Sequence, residues 1–302
     1  MLTRRHIRIK VMQSVYSFSL GEEKKLDDET IFFKESVAQS FNLYLLLLAL
    51  LKALKNFTEE QLTAYEKHQI NRDENFQKLT HLSKNKVLLF IDQHPQLEQH
   101  LKNIKFIRWD LEFTFLKELL KKITSADAFR SYFETKEPTP KEDLKWVMKC
   151  FKEIIAPSSY LYSYLEDHQL TWIDDLPVVN TFMMKMLKQL DPKQSTSLQF
   201  PKPIENLEDL DFGVSLLEKT LSKDEQLLKE LEGKTPNWDA DRIAKLDQVI
   251  LKIAIAELLY FPNIPTKVTL NEYLEIAKDY STPSSNNFVN GVLDKLVREF
   301  QA

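Results

Sequence analysis

Three observations predict an all-α protein. Apolar residues recur at helical spacing along nearly the whole chain, no run alternates as a strand would, and the 302 residues include only four glycines. Folds that cradle phosphates on glycine loops need more, and neither GxGxxG nor GxxxxGK[ST] can be written, which argues against dinucleotide and P-loop chemistry. With 43% apolar and 28% charged residues the chain reads as a soluble globular protein of about two domains. Its single Cys150 allows no internal disulfide, which fits a reducing cytosol.

Periodicity predicts helices over 5–20, 29–56, 59–68, 75–92 and 106–123. In the second, the nine apolar residues from Leu43 to Leu51 end at Lys52, well short of the roughly 20 needed to span a bilayer, so that helix is expected in a core. The segment Glu137-Pro-Thr-Pro-Lys141 precedes helices over 141–155, 158–168 and 174–190, and Cys150 lies mid-helix as a buried apolar residue. Three prolines with three Ser or Thr between Asp191 and Pro203 mark a boundary near 191–205. Helices over 207–221 and 223–231 follow. A central helix over 239–261 starts on Asp239 and Asp241 and carries Ile243, Leu246, Ile250, Ile253 and Ala254 at core spacing. Pro262 and Pro265 end it, Thr269 or Asn271 caps a helix over 270–280, and the polar stretch Ser281-Thr-Pro-Ser-Ser-Asn-Asn287 opens the last helix, 285–300. At an offset of 66, Leu161, Leu165, Glu166, Trp172 and Asp175 echo Leu227, Leu231, Glu232, Trp238 and Asp241, which suggests a duplication, although helical composition bias alone produces such echoes.

Charge is distributed unevenly. Of 41 basic and 45 acidic residues, Arg4, Arg5, Arg8 and Lys10 precede the first acid, Glu22, so a +4 arm leads a remainder of −8. On a helical wheel Ile7, Val11, Val15 and Phe18 share one face while Arg5, His6, Lys10, Gln13 and Tyr16 lie around the other; Arg4 and Arg8 lean toward the apolar side. Arginines on such a face suit phosphates and base edges; the blander alternative is a surface helix whose cations only solubilise it. The start of the last helix offers backbone N–H groups to an anion, and Phe288 either stacks on an unpaired base or fills a core with Val292 and Leu296. Histidines are scattered without metal-site spacing, so neither catalysis nor a cofactor is expected. Polar Gln13, Ser14, Ser17 and Ser19 argue against a signal peptide.

Two remote segments then carry a resemblance. Arg4-Arg-His-Ile-Arg-Ile-Lys-Val-Met-Gln-Ser-Val-Tyr-Ser17 resembles the arginine-rich first helix of the NusB family of bacterial transcription antitermination factors. Leu246-Asp-Gln-Val-Ile-Leu-Lys-Ile-Ala-Ile-Ala-Glu-Leu258, Ile264-Pro-Thr-Lys-Val-Thr-Leu-Asn-Glu272, Glu275-Ile-Ala-Lys278 and Phe288-Val-Asn-Gly-Val-Leu-Asp-Lys295 resemble its last three helices, in order.

The resemblance implies two helical bundles and a non-enzymatic, cytoplasmic bacterial RNA-binding factor. With the ribosomal protein NusE it would bind boxA-type nascent RNA and promote read-through by RNA polymerase in ribosomal RNA operons. By position it assigns RNA contact to Arg4, Arg5, Arg8, Lys10, Gln13, Tyr16, Ser285 and Phe288, and the partner surface to Asp247. Because the similarity starts at the first residues, a cleavable transit peptide is not expected. The implied organisation is a basic RNA-binding helix over 1–20, a helical insertion over 21–205 and a C-terminal bundle over 206–302, with Ser284 and Ser285 where some relatives are acidic. The competing reading is a helical interaction scaffold, its insertion docking a protein, with weak or no RNA binding.

Overall fold

The computed structural model describes residues 1–21, 25–102, 104, 108–190, 198–231 and 244–300. Among them are fifteen α-helices and no strand, as the periodicity predicts. The helices are α1 (Arg4–Leu20), α2 (Leu26–Lys67), α3 (Glu74–Ser83), α4 (Lys86–Asp92), α5 (Pro95–Lys102), α6 (Phe113–Ser125), α7 (Arg130–Glu134) and α8 (Pro140–Cys150). They continue with α9 (Ser159–His168), α10 (Thr171–Gln189), α11 (Leu207–Ser222), α12 (Asp224–Leu231), α13 (Lys245–Tyr260), α14 (Thr266–Tyr280) and α15 (Pro283–Phe300).

Most departures from the sequence reading have local causes. The helices expected over 29–56 and 59–68 are one, because no Gly or Pro interrupts them and Thr58 sits inside the helix, its hydroxyl donating to the Leu54 carbonyl at 2.8 Å. The helix expected over 75–92 is two, because Asn85 turns outward at ψ 117° and its side chain accepts from Val87 N and Leu88 N as the cap of α4. A short 3-10 turn, Trp109–Leu111, replaces the first part of the helix expected over 106–123. The final residues of 141–155 close as a π turn, with Ala156 N–H donating to the Phe151 carbonyl at 2.8 Å. Helices α5 and α7 were not expected. The Pro-Thr-Pro segment forms a capping box: Glu142 accepts from Thr139 N at 2.7 Å, Thr139 accepts from Glu142 N, and Pro140 occupies the first turn. Asp239, Asp241, Ile243 and the second copy of the offset-66 echo lie outside the described residues.

The chain divides into two compact units. One comprises Met1 and 39–203, the other 2–38 and 204–302, so the border runs within α2 at 38/39 rather than near residue 20. In the first unit the α2 run Leu43 to Leu51 is buried throughout, as expected, among α6, α8, α9 and α10. Trp109 and Trp172 donate their indole N–H groups to the α2 carbonyls of Leu46 and Gln39, both at 2.9 Å, which satisfies two large aromatics within a core. The apolar stretch of α2 is longer than Leu43 to Leu51 suggests: one 18-residue window reaches a mean hydropathy of 1.7, enough by length and composition to cross a membrane, yet 67% of it is buried inside the protein. Cys150 is buried as well, and burial pushes its thiol well above the ordinary range.

In the second unit α13 is the central helix, buried without interruption from Val249 to Glu257, with α1, α11, α12, α14 and α15 around it. The approach of α11 to α1 requires Gly213, because a Cβ there would lie 2.4 Å from the Phe33 ring and 2.6 Å from Ile7. Gly213→Ala is therefore expected to destabilise the protein by about 1–3 kcal/mol despite alanine's better helix propensity, measured as a lower denaturant midpoint.

Candidate nucleic-acid interface on the first helix

Helix α1 begins after Thr3, whose backbone N–H donates to His6 Nδ1 at 3.1 Å. Its apolar residues Ile7, Val11 and Val15 are buried, as the wheel predicts, while Phe18 is half-buried. The cationic residues depart from the wheel. Arg8 and Lys10 are only 2% exposed, because α11 and α13 both pack on α1 and enclose more of its circumference than one apolar stripe. Lys10 was expected on the outward face and is instead inside.

The three arginines of α1 reach three different helices. Arg4 Nε donates to Asp209 of α11 at 2.7 Å. Arg5 makes a bidentate pair with Glu272 of α14 at 2.8 and 2.9 Å. Arg8 makes another with Glu257 of α13 at 2.8 and 2.7 Å, the two side chains being 3% and 0% exposed. Glu257 also accepts from Thr269 Oγ1 at 2.8 Å and Tyr273 OH at 2.9 Å, so both of its oxygens are fully used. Phe212 lies under the guanidinium groups of Arg4 and Arg8, 5.4 and 5.2 Å from their Cζ atoms.

The electrostatics follow from this geometry. Burial works against the charge of Arg8, yet the hydrogen bonds and charge of Glu257 hold it above the usual arginine range. The hydrogen bond from Arg5 draws the Glu272 carboxyl below its ordinary value. Burial, with Glu257 beside it, drives the Tyr273 phenol far up. His6 is lowered by burial and then by the positive charges of Lys10 and Arg5, so it stays neutral and keeps Nδ1 as an acceptor.

A groove of about 630 Å³ runs along the N-terminal end of α1, lined by Arg4, Arg5, His6 and, across it, Asn263, Pro265 and Val268. Arg4 and Arg5 are 47% and 41% exposed despite their ion pairs, and Tyr16 is exposed farther along the helix. Gln13 and Phe288 are half-buried. Phe288 belongs to the second turn of α15, whose buried line is Val289, Val292, Leu293 and Leu296. The polar residues before it are helical, not a loop. Thr282 precedes the helix, and its hydroxyl accepts from the N–H of Ser285, a residue 9% exposed, which occupies one of the donors an anion would need. Asp247 is 3% exposed and accepts from Ser281 Oγ at 2.5 Å, so it ties the start of α13 to the C-terminal end of α14 instead of facing a partner. Glu257, Glu272 and Asp209 carry no local sign of being counter-charges except Glu257, an acid directly after the apolar run Ile253 to Ala256, a position that requires a cation.

These features define an all-helical domain whose basic first helix is clamped by carboxylates of its last helices. The NusB family profile matches residues 179–298. A transcription antitermination protein NusB of Koribacter versatilis is 36% identical over 129 residues, 42% of this chain and 88% of that protein. Those of Salinibacter ruber and Geotalea daltonii are 44% and 41% identical over 87 and 85 residues, 29% and 28% of this chain. The chain belongs to the NusB family. Its matches span 54% and 59% of the length of those last two relatives. No solved structure matches it.

Removing one partner of the buried pair leaves an uncompensated charge. Arg8→Met is expected to cost about 3–5 kcal/mol in urea unfolding, and adding Glu257→Gln should recover a large part of it. An unrecovered double variant would show that the pair itself, not the orphaned carboxylate, sets the loss.

The pH dependence has a defined sign. His6 and His94 are both lowered from 6.5 by burial, so below that pH the unfolded chain binds protons that the folded chain refuses. Stability is expected to be full above pH 6.5 and to fall as pH drops through the lowered values, with a further loss below 4.5 as Glu272 protonates. His6→Gln should flatten the first limb of the measured stability profile.

Proposed function

We propose that this protein is a non-enzymatic, cytoplasmic transcription antitermination factor that binds single-stranded boxA-type RNA together with the ribosomal protein NusE. The observation that carries the reading is the exposed pair Arg4 and Arg5 on a groove whose opposite wall, Asn263 to Glu272, lies within the residues that match the family. Both guanidiniums are held by carboxylates, but at accessible sites, where an ion pair contributes only about 0–1 kcal/mol. A phosphate can therefore replace Asp209 or Glu272 at small cost, and the released acids limit adhesion to unrelated polyanions.

In this reading Arg4 and Arg5 contact phosphate, and Tyr16, Gln13 and Phe288 contact bases. Arg8 and Lys10 act from the interior by fixing the helix. The Ser285 hydroxyl orients the start of α15, and Asp247 supports the partner surface indirectly. The residues 39–203 serve as an added helical unit on this core.

The test is titration of labelled boxA-type RNA with the full chain, with and without NusE. Arg4→Gln with Arg5→Gln should weaken binding and reduce the salt slope by roughly 1–2 units, since each phosphate contact on a single strand contributes about 0.7. Phe288→Ala should lower affinity by about 1–3 kcal/mol per stacked base with helicity intact. Unchanged affinity and slope in the arginine variant would remove α1 from the RNA surface.

A further inference from the structure

The residues 39–203 hold 23 basic and 21 acidic side chains, a net charge of +2, whereas the remainder of the chain holds 18 and 24, a net of −6. The cationic part of this protein is thus not the arginine helix with its surroundings but the added helical unit. Within that unit a second groove, about 580 Å³, lies between α3, the start of α4 and the segment after α7. Lys84, Lys86 and Lys136 line it, all exposed, and none of them forms an ion pair with a described residue. The contrast with α1 is direct, since there Arg4, Arg5 and Arg8 each have a carboxylate of their own.

The walls of this groove are fixed in advance. Asn85 caps α4 and donates to Tyr132 OH at 2.9 Å, Tyr132 donates to Asp143 at 2.8 Å, and its ring stacks on Trp146 with centroids 5.2 Å apart. Asp143 is 2% exposed, and its second oxygen accepts from Lys86 N–H at 2.9 Å. Of the two acids on the lining, only Glu137 is therefore open to an incoming ligand. His81 is held by the carbonyls of Thr135 and Gln77 at 2.6 and 3.1 Å, and is not available to one. At one end stands the half-buried Phe76, with the Arg72 guanidinium 5.0 Å from its ring centre.

We propose that this groove is a second RNA-binding surface, on which Lys84, Lys86 and Lys136 follow the sugar-phosphate backbone of a single strand. The chemistry selects a chain of phosphates over one phosphate. Lysines are separate point charges without the fork that clamps a single group, and the backbone N–H that lies beside them, that of Lys86, is already engaged by Asp143. Flexible cations along an open groove with an aromatic at its end are the composition of a sequence-tolerant single-strand site. This inference rests on the RNA-binding function proposed above.

The test compares the full chain with the variant Lys84→Gln, Lys86→Gln, Lys136→Gln on labelled single-stranded RNA of about 30 nucleotides carrying a boxA-type segment, across a salt series. Because the three side chains are exposed and unpaired, helicity and melting midpoint should be unchanged. The salt slope should fall by about two units and Kd should rise roughly tenfold or more. The Arg triple variant at the same positions should bind as the wild type does. If the neutral variant melts early, Lys84→Gln and Lys136→Gln made singly should each remove about 0.7 units. An unchanged slope in these variants overturns the groove and leaves the function standing. Displacement of the RNA by inorganic phosphate at matched ionic strength also overturns it, in favour of a single-phosphate site. Failure of the wild type to bind RNA, with NusE present, overturns the functional reading itself.

Discussion

The second unit depends on one buried ion pair, Arg8 with Glu257. A carboxylate at 0% exposure in the middle of the central helix would be strongly destabilising without charge and hydrogen-bond compensation, and here α1 supplies the cation while α14 supplies two hydroxyls. Three elements are thereby held at one point. The exposed residues of the interface take their places from it: Arg5 reaches Glu272 because Arg8, one turn along, is already anchored, and Glu272 lies 3.8 Å from Arg8 as well. Specificity of packing and placement of the surface cations are thus one physical problem with one solution.

The two exposed pairs differ from the buried one in how firmly each holds its arginine in the fold. Identical side chains on one helix are either replaceable at small cost or fixed, according to exposure alone. A linear count of positive charge cannot distinguish these cases. The three arginines of the first ten residues are compensated within the fold, while Lys84, Lys86 and Lys136 on the groove of α3 and α4 have no ion-pair partner among the described residues.

The helical class, the buried run of α2 and the central position of α13 were legible in the sequence because each is set by the periodicity of a single segment. The break at Asn85 was not, since an asparagine inside an apolar pattern reads as helix until its side chain is seen to cap. Lys10 was misplaced for a different reason. A wheel records only the helix itself, and the two helices that pack most on α1 begin at residues 207 and 245. The acids that meet Arg4, Arg5 and Arg8 are likewise 205, 267 and 249 positions away, beyond the reach of any local pattern. The geometry sorts the residues of the first helix into surface and interior.

That 249-residue separation also has a meaning during synthesis. At about 5–20 residues per second, a ribosome that has made Arg8 does not make Glu257 for roughly 12–50 s. For most of that interval the first helix has neither its counter-ions nor the helices α11 and α13 that pack on it. The second unit is therefore completed only once α13 has been made, and α1 must remain soluble as an orphan until then.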